Sequence, residues 1–441
     1  MPAINEGARR AARRRFALLA LGGSVTLLLI AACIHGYGLS TLDVQLSAIR
    51  SWIVGDGLYA YRESGSQAGA ALPPALALVI APLAALPLPI AGLLLALASL
   101  AALLLSLVVL TGPMARRYGR GRTTLVLTLA ALALATGPVR ATIGLGRTDL
   151  ILFGLVVADL LALRRARAFP SSPAAWSSRN GWHAGERTPK AWLRHVWRTG
   201  GWAGAGIGLA GALAAGPLLL IVYLLVSRQR RAALTAVATA AVVTLGSLVA
   251  APAETLTWYG TTVWELDRTV PISDPGNQSL AGVLARLYDL TAPPVLVWIS
   301  FGVLLLAVGL IRARSAHADG DETAAFTLIA LAGAAAGPVT GPGEAIWLLP
   351  AVLILVDEAN RRRTGARRPR VRFPGAGFAA LALAGCVLLW LDPFGAVPGN
   401  GYAILLIVLV NALPWRHEPA PRPPIRRAPK RPAAIPGPRG G

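Results

Sequence analysis

Residues 90–123 decide the fold: IAGLLLALASLAALLLSLVVLTG (90–112), then PMARRYGRGRT (113–123). The first part carries no charge and is long enough to cross a bilayer, which takes about 20 apolar residues in a helix. Arg116, Arg117, Arg120 and Arg122 follow at once. A second apolar run, 124–139, begins directly after them. An arginine block between two apolar runs is how a polytopic membrane protein marks a cytoplasmic loop.

The pattern repeats outward from this stretch. The 441 residues are 55% hydrophobic and 14% charged, against about 25% charged in a soluble domain. The formal net charge is +22. Its arginines sit in blocks between apolar runs, so topology accounts for them and a nucleic-acid partner is not expected. Cys33 and Cys386 each lie inside an apolar run, too few for a disulfide framework. The five histidines are scattered, so neither a metal site nor a cofactor is expected.

Spans are predicted near 16–34, 90–112, 124–139, 149–163, 232–252, 293–311, 323–337, 345–358, 374–391 and 401–415. The first, preceded by Arg9, Arg10 and Arg13–Arg15, reads as an uncleaved signal anchor. Two regions are open. Residues 72–89 are apolar but rich in proline. Residues 202–227 form one span, or two short helices broken at 214–217, Ala-Ala-Gly-Pro. Charge decides between them. If 72–89 does not cross and 202–227 crosses twice, every arginine-rich loop falls on one side. The reading is an all-α, polytopic integral membrane protein of the cell membrane with about twelve transmembrane helices and both termini cytoplasmic. It divides into a basic N-terminus (1–15), a membrane domain (16–415) and a basic, proline-rich, disordered tail (416–441). Loop 164–201 reads either as disordered or as holding a short interfacial helix after Thr188 and Pro189, with Lys190, Arg194 and Arg198 on one face.

The outer face then receives loops 35–71 and 253–292 and the shorter segments 140–148, 214–217, 338–344 and 392–400. These carry mixed polar groups, among them Asp43, Asp56, Arg147, Asn277, Gln278 and Glu344. In loop 253–292, Asn277-Gln278-Ser279 follows a Pro-Gly turn. Three such side chains can read sugar hydroxyls; equally, Asn and Ser make turns and helix caps. Asp43 likewise has two readings, an N-cap for a helix over 44–54 or a general base.

Several segments in order resemble glycosyltransferase family 87, the polyprenyl-phosphate-mannose-dependent mannosyltransferases with a GT-C fold known from actinobacterial lipoglycan assembly. LDVQLSAIRSWIVGDGLYAY (42–61) is similar to the family's Asp-containing first outer loop. LPPALALVIAPLAALP (72–87) is similar to its Tyr-Pro-Pro segment, GLGRTDLILFGL (144–155) to Gly-Gln-x-Asn, and GLAGALAAGPLLLIVYLL (208–225) to Gly-Leu-Ala-Ala-x-x-Lys-x-x-Pro. NQSLAGVLARL (277–287) matches Asn-Gln-Ser-Leu. GPVTGPGEAIWLLP (337–350) stands where the family has Ser-Pro-x-Ser-Trp-x-His-His. The resemblance spans about 16–415. It implies a GT-C-like bundle and an inverting transfer of a sugar, mannose by analogy, from a polyprenyl-phosphate donor to an envelope glycolipid or lipid-linked glycan on the outer face. Asp43 is the implied catalytic base. Arg147, Asp149, Asn277, Gln278 and Glu344 are the implied substrate-binding residues, and Arg50, Arg147 and Arg268 are candidates, by sidedness alone, to stabilise the leaving phosphate.

There are departures. The family lysine maps to Ala214, its Gln and Asn to Arg147 and Asp149, its His pair to Gly343 and Glu344, and the Trp before them to Gly341. Tyrosine is missing before Pro73. Glu344 reads as a second carboxylate or as a cap for the helix from Ala345. A catalytically silent relative that binds lipid-linked sugars is the alternative these losses favour. A transporter is disfavoured because the spans are nearly free of charge, and Asp159, one exception, lies close to the cytoplasmic end of its span.

Overall fold

A computed structural model describes residues 22–63, 69–118, 121–168, 189–365, 375–391 and 399–416. The expected basic N-terminus, the Thr188 cap and the tail beyond Arg416 lie outside these residues. Among the described residues the chain is all-helical, apart from an isolated bridge between Arg62 and Gly69. Helix α1 (Gly22–Tyr37) turns by 72° into α2 (Ser40–Val54), through left-handed backbone at Gly38 and Leu39. The proline-rich stretch forms α3 (Pro74–Ile80) and a 3-10 turn (Ala81–Ala85), followed by the long α4 (Leu88–Tyr118). A second bend, 71°, separates α5 (Arg122–Leu134) from α6 (Gly137–Leu145). Helices α7 (Asp149–Ala168), α8 (Pro189–Thr199), α9 (Ala205–Leu213), α10 (Leu218–Val226), α11 (Arg230–Ala250) and α12 (Pro252–Gly260) come next. The remainder is α13 (Leu280–Leu287), α14 (Val295–Ala318), α15 (Glu322–Ala336), α16 (Pro342–Ala345), α17 (Leu348–Gly365), α18 (Ala376–Trp390) and α19 (Gly401–Ala412).

Each predicted span thus holds a helix, but the count of about twelve crossings is not met by length. Among the described residues three helices are long and apolar enough to cross alone, within α4, α11 and α14, or five spans if each bent pair is one. The break expected at 214–217 is present. It leaves α9 and α10 at nine residues each, a rise of about 13.5 Å against a hydrocarbon core of about 30 Å. Residues 72–89 likewise form only a short helix and turn. The interfacial-helix reading of loop 164–201 meets α8, where Arg194 and Arg198 are exposed and Arg165 stacks over Trp197.

The helices have two distinct ends. At the basic end, Glu322 accepts from Arg167 (2.5 Å), His317 (2.6 Å) and Tyr223 (2.7 Å). Arg416 pairs with Asp357 there, and Trp415 donates to Asp319. The opposite end gathers the starts of α2, α7, α13 and α16.

Interrupted helices are repaired by side chains from elsewhere. Pro113 lies inside α4 and cannot donate to the carbonyl four residues back. Arg164 donates to that carbonyl, of Val109, at 3.0 Å. Asp159, buried in α7, accepts the N–H of Ile207 at 2.6 Å. Its negative charge therefore sits at the N-terminus of α9, where the helix dipole and free N–H groups favour an anion.

The same helix depends on glycine. Gly204 has φ 101, and a Cβ there would stand 2.0 Å from the Ala232 carbonyl oxygen of α11. Gly206 meets the Leu155 carbonyl of α7 and Gly208 the Ala236 carbonyl of α11 as closely. Contacts of this kind between backbones hold membrane helices together where apolar burial adds little. Gly204→Ala is expected to destabilise the protein by roughly 3 kcal/mol through overpacking and left-handed strain. Gly216→Ala, with nothing within 4 Å, should change stability by less than about 0.5 kcal/mol. Thermal unfolding of both variants in detergent checks the contrast.

Candidate active site

The start of α2 is seated on the turn between α6 and α7. Leu39 donates its N–H to Gly144 at 2.9 Å. Gly146 has φ 72, and a Cβ on it would lie 2.6 Å from that of Leu42, so the turn requires glycine on both counts. Asp43 follows Leu42 in the first turn of α2. The N-cap is Leu39 rather than Asp43, so the cap reading of Asp43 does not hold. Its side chain is exposed and pairs with no group among the described residues. Ser40, Asp43 and Arg50 share the exposed stripe of α2. Arg50 donates to the Ala84 and Leu86 carbonyls at 3.0 and 3.2 Å, satisfying the end of the 3-10 turn.

One residue beyond Gly146, the Arg147 Nε donates to Asp149 at 2.6 Å. Asp149 above all, then Glu344, pushes the Arg147 pKa up against the opposing effect of burial. Glu344 accepts the Gly341 N–H at 2.9 Å, so it caps α16 while facing Arg147. A Cβ at Gly343 would stand 2.3 Å from the Asp149 carboxyl carbon. The Asp149 carboxylate thus fills the space that a side chain at 343 needs. The two departures at 149 and 343 are one packing change: an acid gained on α7 and a side chain lost on α16.

The Asn-Gln-Ser segment ties a third piece to this end. Asn277 is buried, at 2% exposure. Its amide donates to Ile272 (2.9 Å) and Pro338 (3.0 Å). Its carbonyl oxygen accepts from Ser279 (3.1 Å) and Thr340 (2.9 Å). All four hydrogen-bonding positions of the amide are therefore used inside the protein. Ser279 caps α13 through the Gly282 N–H and donates to Pro338. Gln278 donates to Pro275 and Gly399, while its carbonyl oxygen is buried without a partner. Asn277 and Ser279 serve here as turn and cap, holding segment 338–344 against Asp149.

Arg268 is also consumed by scaffold. It donates to the Ala70 carbonyl (2.8 Å), the Tyr59 carbonyl and Glu265 (2.5 Å), and its guanidinium lies over the Tyr59 ring. Tyr59 stacks on Trp258 and donates to Leu72, and burial pushes its phenol pKa up. Gly55 and Tyr59 are accounted for this way. Gly55, φ 109, ends α2, and Tyr59 locks the first outer loop to the second. Sequence reading overlooked Thr340, which bonds both Asn277 and Gln278 through its backbone, and Arg286, which reaches Asn400 at 2.6 Å. Only the charge of Arg286 within the apolar α13 hinted at either.

The structure therefore brings Asp43, Arg147, Asp149, Glu344 and the Asn277 turn to one end, on four segments far apart in sequence. Asn277→Ala would leave the Ser279 and Thr340 N–H groups without their partner. It is expected to lower stability by about 2–4 kcal/mol, read as a drop in unfolding temperature in detergent.

Comparison with known proteins places the chain in a family. The model of glycosyltransferase family 87 covers residues 72–339. The polyprenol-phosphate-mannose-dependent alpha-(1-2)-phosphatidylinositol mannoside mannosyltransferase of Mycobacterium tuberculosis is 33% identical over 195 residues, 44% of this chain and 43% of that protein. The protein of the same description from Mycolicibacterium smegmatis is 30% identical over 199 residues, with the same coverage of each chain. The matched region thus spans less than half of these relatives' length. The crystal structure of ArnT from Cupriavidus metallidurans bound to undecaprenyl phosphate aligns with 90% of this chain and 78% of that one, at 15% identity and a TM-score of 0.39, a score too low to support an inference. With the family model spanning more than half of the chain, the protein belongs to glycosyltransferase family 87.

Proposed function

We propose that this protein is a membrane hexosyltransferase that moves a sugar, mannose by analogy with its relatives, from a polyprenyl-phosphate donor to a glycolipid acceptor. The observation that carries this reading is Asp43. It is an exposed, unpaired carboxylate on a helix clamped to the family's own motif segments, at the end opposite the arginine-rich one. In a membrane whose inner side receives the basic loops, that end faces outward and both termini lie in the cytoplasm.

The chemistry asks for one base. The acceptor hydroxyl gives its proton to Asp43 as its oxygen bonds to the anomeric carbon. The bond from that carbon to the phosphate oxygen breaks on the opposite face, and the polyprenyl phosphate leaves with the electron pair. Inversion follows from the single displacement. The leaving phosphate is stable without a proton, so no acid is needed, only cations nearby. Arg147 is a weak candidate for that role, because Asp149 already neutralises it. Asp149 and Glu344 are better placed to accept hydrogen bonds from sugar hydroxyls. Asn277 and Gln278 then contribute by holding segment 338–344.

The paired Arg147 and the missing side chain at 343 favour a second reading, a relative that binds lipid-linked sugars without turning them over. Transfer of labelled mannose from polyprenyl-phosphate-mannose to membrane glycolipids separates the two. The wild type is expected to transfer, and Asp43→Asn to lose about 10²–10⁴-fold in rate with its fold intact. Transfer retained by Asp43→Asn would move the base elsewhere, with Glu344 next in line. No transfer by the wild type across several sugars and acceptors would favour the silent reading.

A further inference from the structure

We propose that α8 and the start of α11 form a docking face for the headgroups of anionic phospholipids. Orienting a chain in the bilayer asks only for positive charge on a loop, in any conformation. Here the charge is built onto a fixed surface. Helix α8 is fastened to the last turns of α7. Arg165 donates to the Trp197 carbonyl at 3.1 Å, and a Cβ at Gly200 would stand 2.1 Å from the Ala162 carbonyl oxygen. A tight turn follows, with the Ala203 N–H on the Gly200 carbonyl at 3.1 Å. The ends of such a turn stand within about 7 Å of each other. Gly204 is then pressed against the Ala232 carbonyl, so α8 ends beside the first turn of α11. Val196 and Thr199 are half-buried. Arg194, Trp197 and Arg198 on α8, and Arg228 and Arg230 at the start of α11, are exposed.

The depth and composition of this face indicate its partner. Helix α11 is long and apolar enough to cross the bilayer, and Arg230 is its first residue. The cations beside it therefore stand where a span leaves the hydrocarbon and meets lipid headgroups. Residues 189–253 hold lysine and arginine but neither Asp nor Glu. Carboxylates elsewhere at this end are engaged: Glu322 by Arg167, Asp357 by Arg416, and Glu358 by Arg361 and Arg362. Trp197 stands among the arginines at 56% exposure. Its ring lies 5.2 Å from that of Trp202 at 9°, with Arg165 over it at 5.1 Å, so the indole is held in place. An exposed indole among fixed cations suits the headgroup layer, where the ring enters the boundary and the guanidinium groups meet lipid phosphates. A nucleic acid or an acidic protein would match the charge alone; the membrane is the anionic surface that these helix ends already reach. Sugar transfer and Asp43 play no part in this reading.

Phosphatidylglycerol and phosphatidylcholine, offered together to the purified full-length protein in detergent and counted by native mass spectrometry, test the charge. The wild type is expected to prefer phosphatidylglycerol. Arg194→Gln combined with Arg198→Gln should weaken that preference by about fivefold for each arginine removed, and the pair of lysine replacements should keep most of it. Both pairs should unfold at the wild-type temperature, since the side chains are exposed. Raising the salt concentration should weaken the preference in the wild type, a test that needs no variant. Hydrogen exchange locates the face. The amides of 189–200 should exchange more slowly in nanodiscs of phosphatidylcholine and phosphatidylglycerol in equal parts than in phosphatidylcholine alone, and Trp197→Ala should reduce the difference. Equal preference by the wild type and the glutamine pair, or exchange over 189–200 indifferent to phosphatidylglycerol, would overturn the proposal. Slowing by soluble heparin but not by phosphatidylglycerol would give the face to a soluble polyanion and remove the lipid assignment.

Discussion

Hydrocarbon offers no hydrogen bonds, so each place where a helix of this protein breaks must find partners for its freed backbone groups. That constraint organises the molecule. Arg164 takes the carbonyl that Pro113 leaves open, and Asp159 takes an N–H at the start of α9. Arg50 closes the 3-10 turn after α3, and Arg312 donates to carbonyls at the end of α19. Asn277 does the same for a whole segment, satisfying the backbone at 272, 279, 338 and 340 with one amide. The polar side chains within the bundle are mostly spent on these repairs. The few left over stand out for that reason.

Asp43 is one of them. Asp43 is free because the left-handed turn at Gly38 and Leu39 starts α2 early, giving the cap position to Leu39 and leaving the carboxylate on the exposed stripe. At the same end lies a cluster with its own balance: Arg147 shared by Asp149 and Glu344. Asp149 occupies the room of a side chain at Gly343, so the site differs from the family pattern in a coordinated way. An acid on α7 stands where the family pattern has a histidine on α16. Such a change alters the hydrogen bonds this end offers while leaving the position of Asp43 untouched.

Much of this was legible in the sequence. Apolar runs of about 20 residues and arginine blocks are one-dimensional signals, because bilayer thickness and the cost of moving charge across it act on each segment separately. The helical class, the break at 214–217 and the order of the motif segments follow from such signals. The number of full crossings did not, because helix length depends on where neighbouring helices bend. Composition at 202–227 or 124–139 is apolar whether the helix is straight or turned.

The roles of individual polar residues were decided by tertiary structure alone. Asn277, Arg268 and Arg147 look alike in sequence, as polar groups in outer loops. In the fold the first is saturated by backbone, the second is clamped between two loops, and the third is paired with an acid two residues away. Availability for chemistry depends on what each group has left after its neighbours are satisfied, and those neighbours lie up to 209 residues apart along the chain. The sequence by itself determined a membrane-embedded helical protein with its polar motifs at one end. Only the close packing of glycines at 144, 146, 204 and 343, against backbone at some and side chains at others, decided which of those polar groups stayed free.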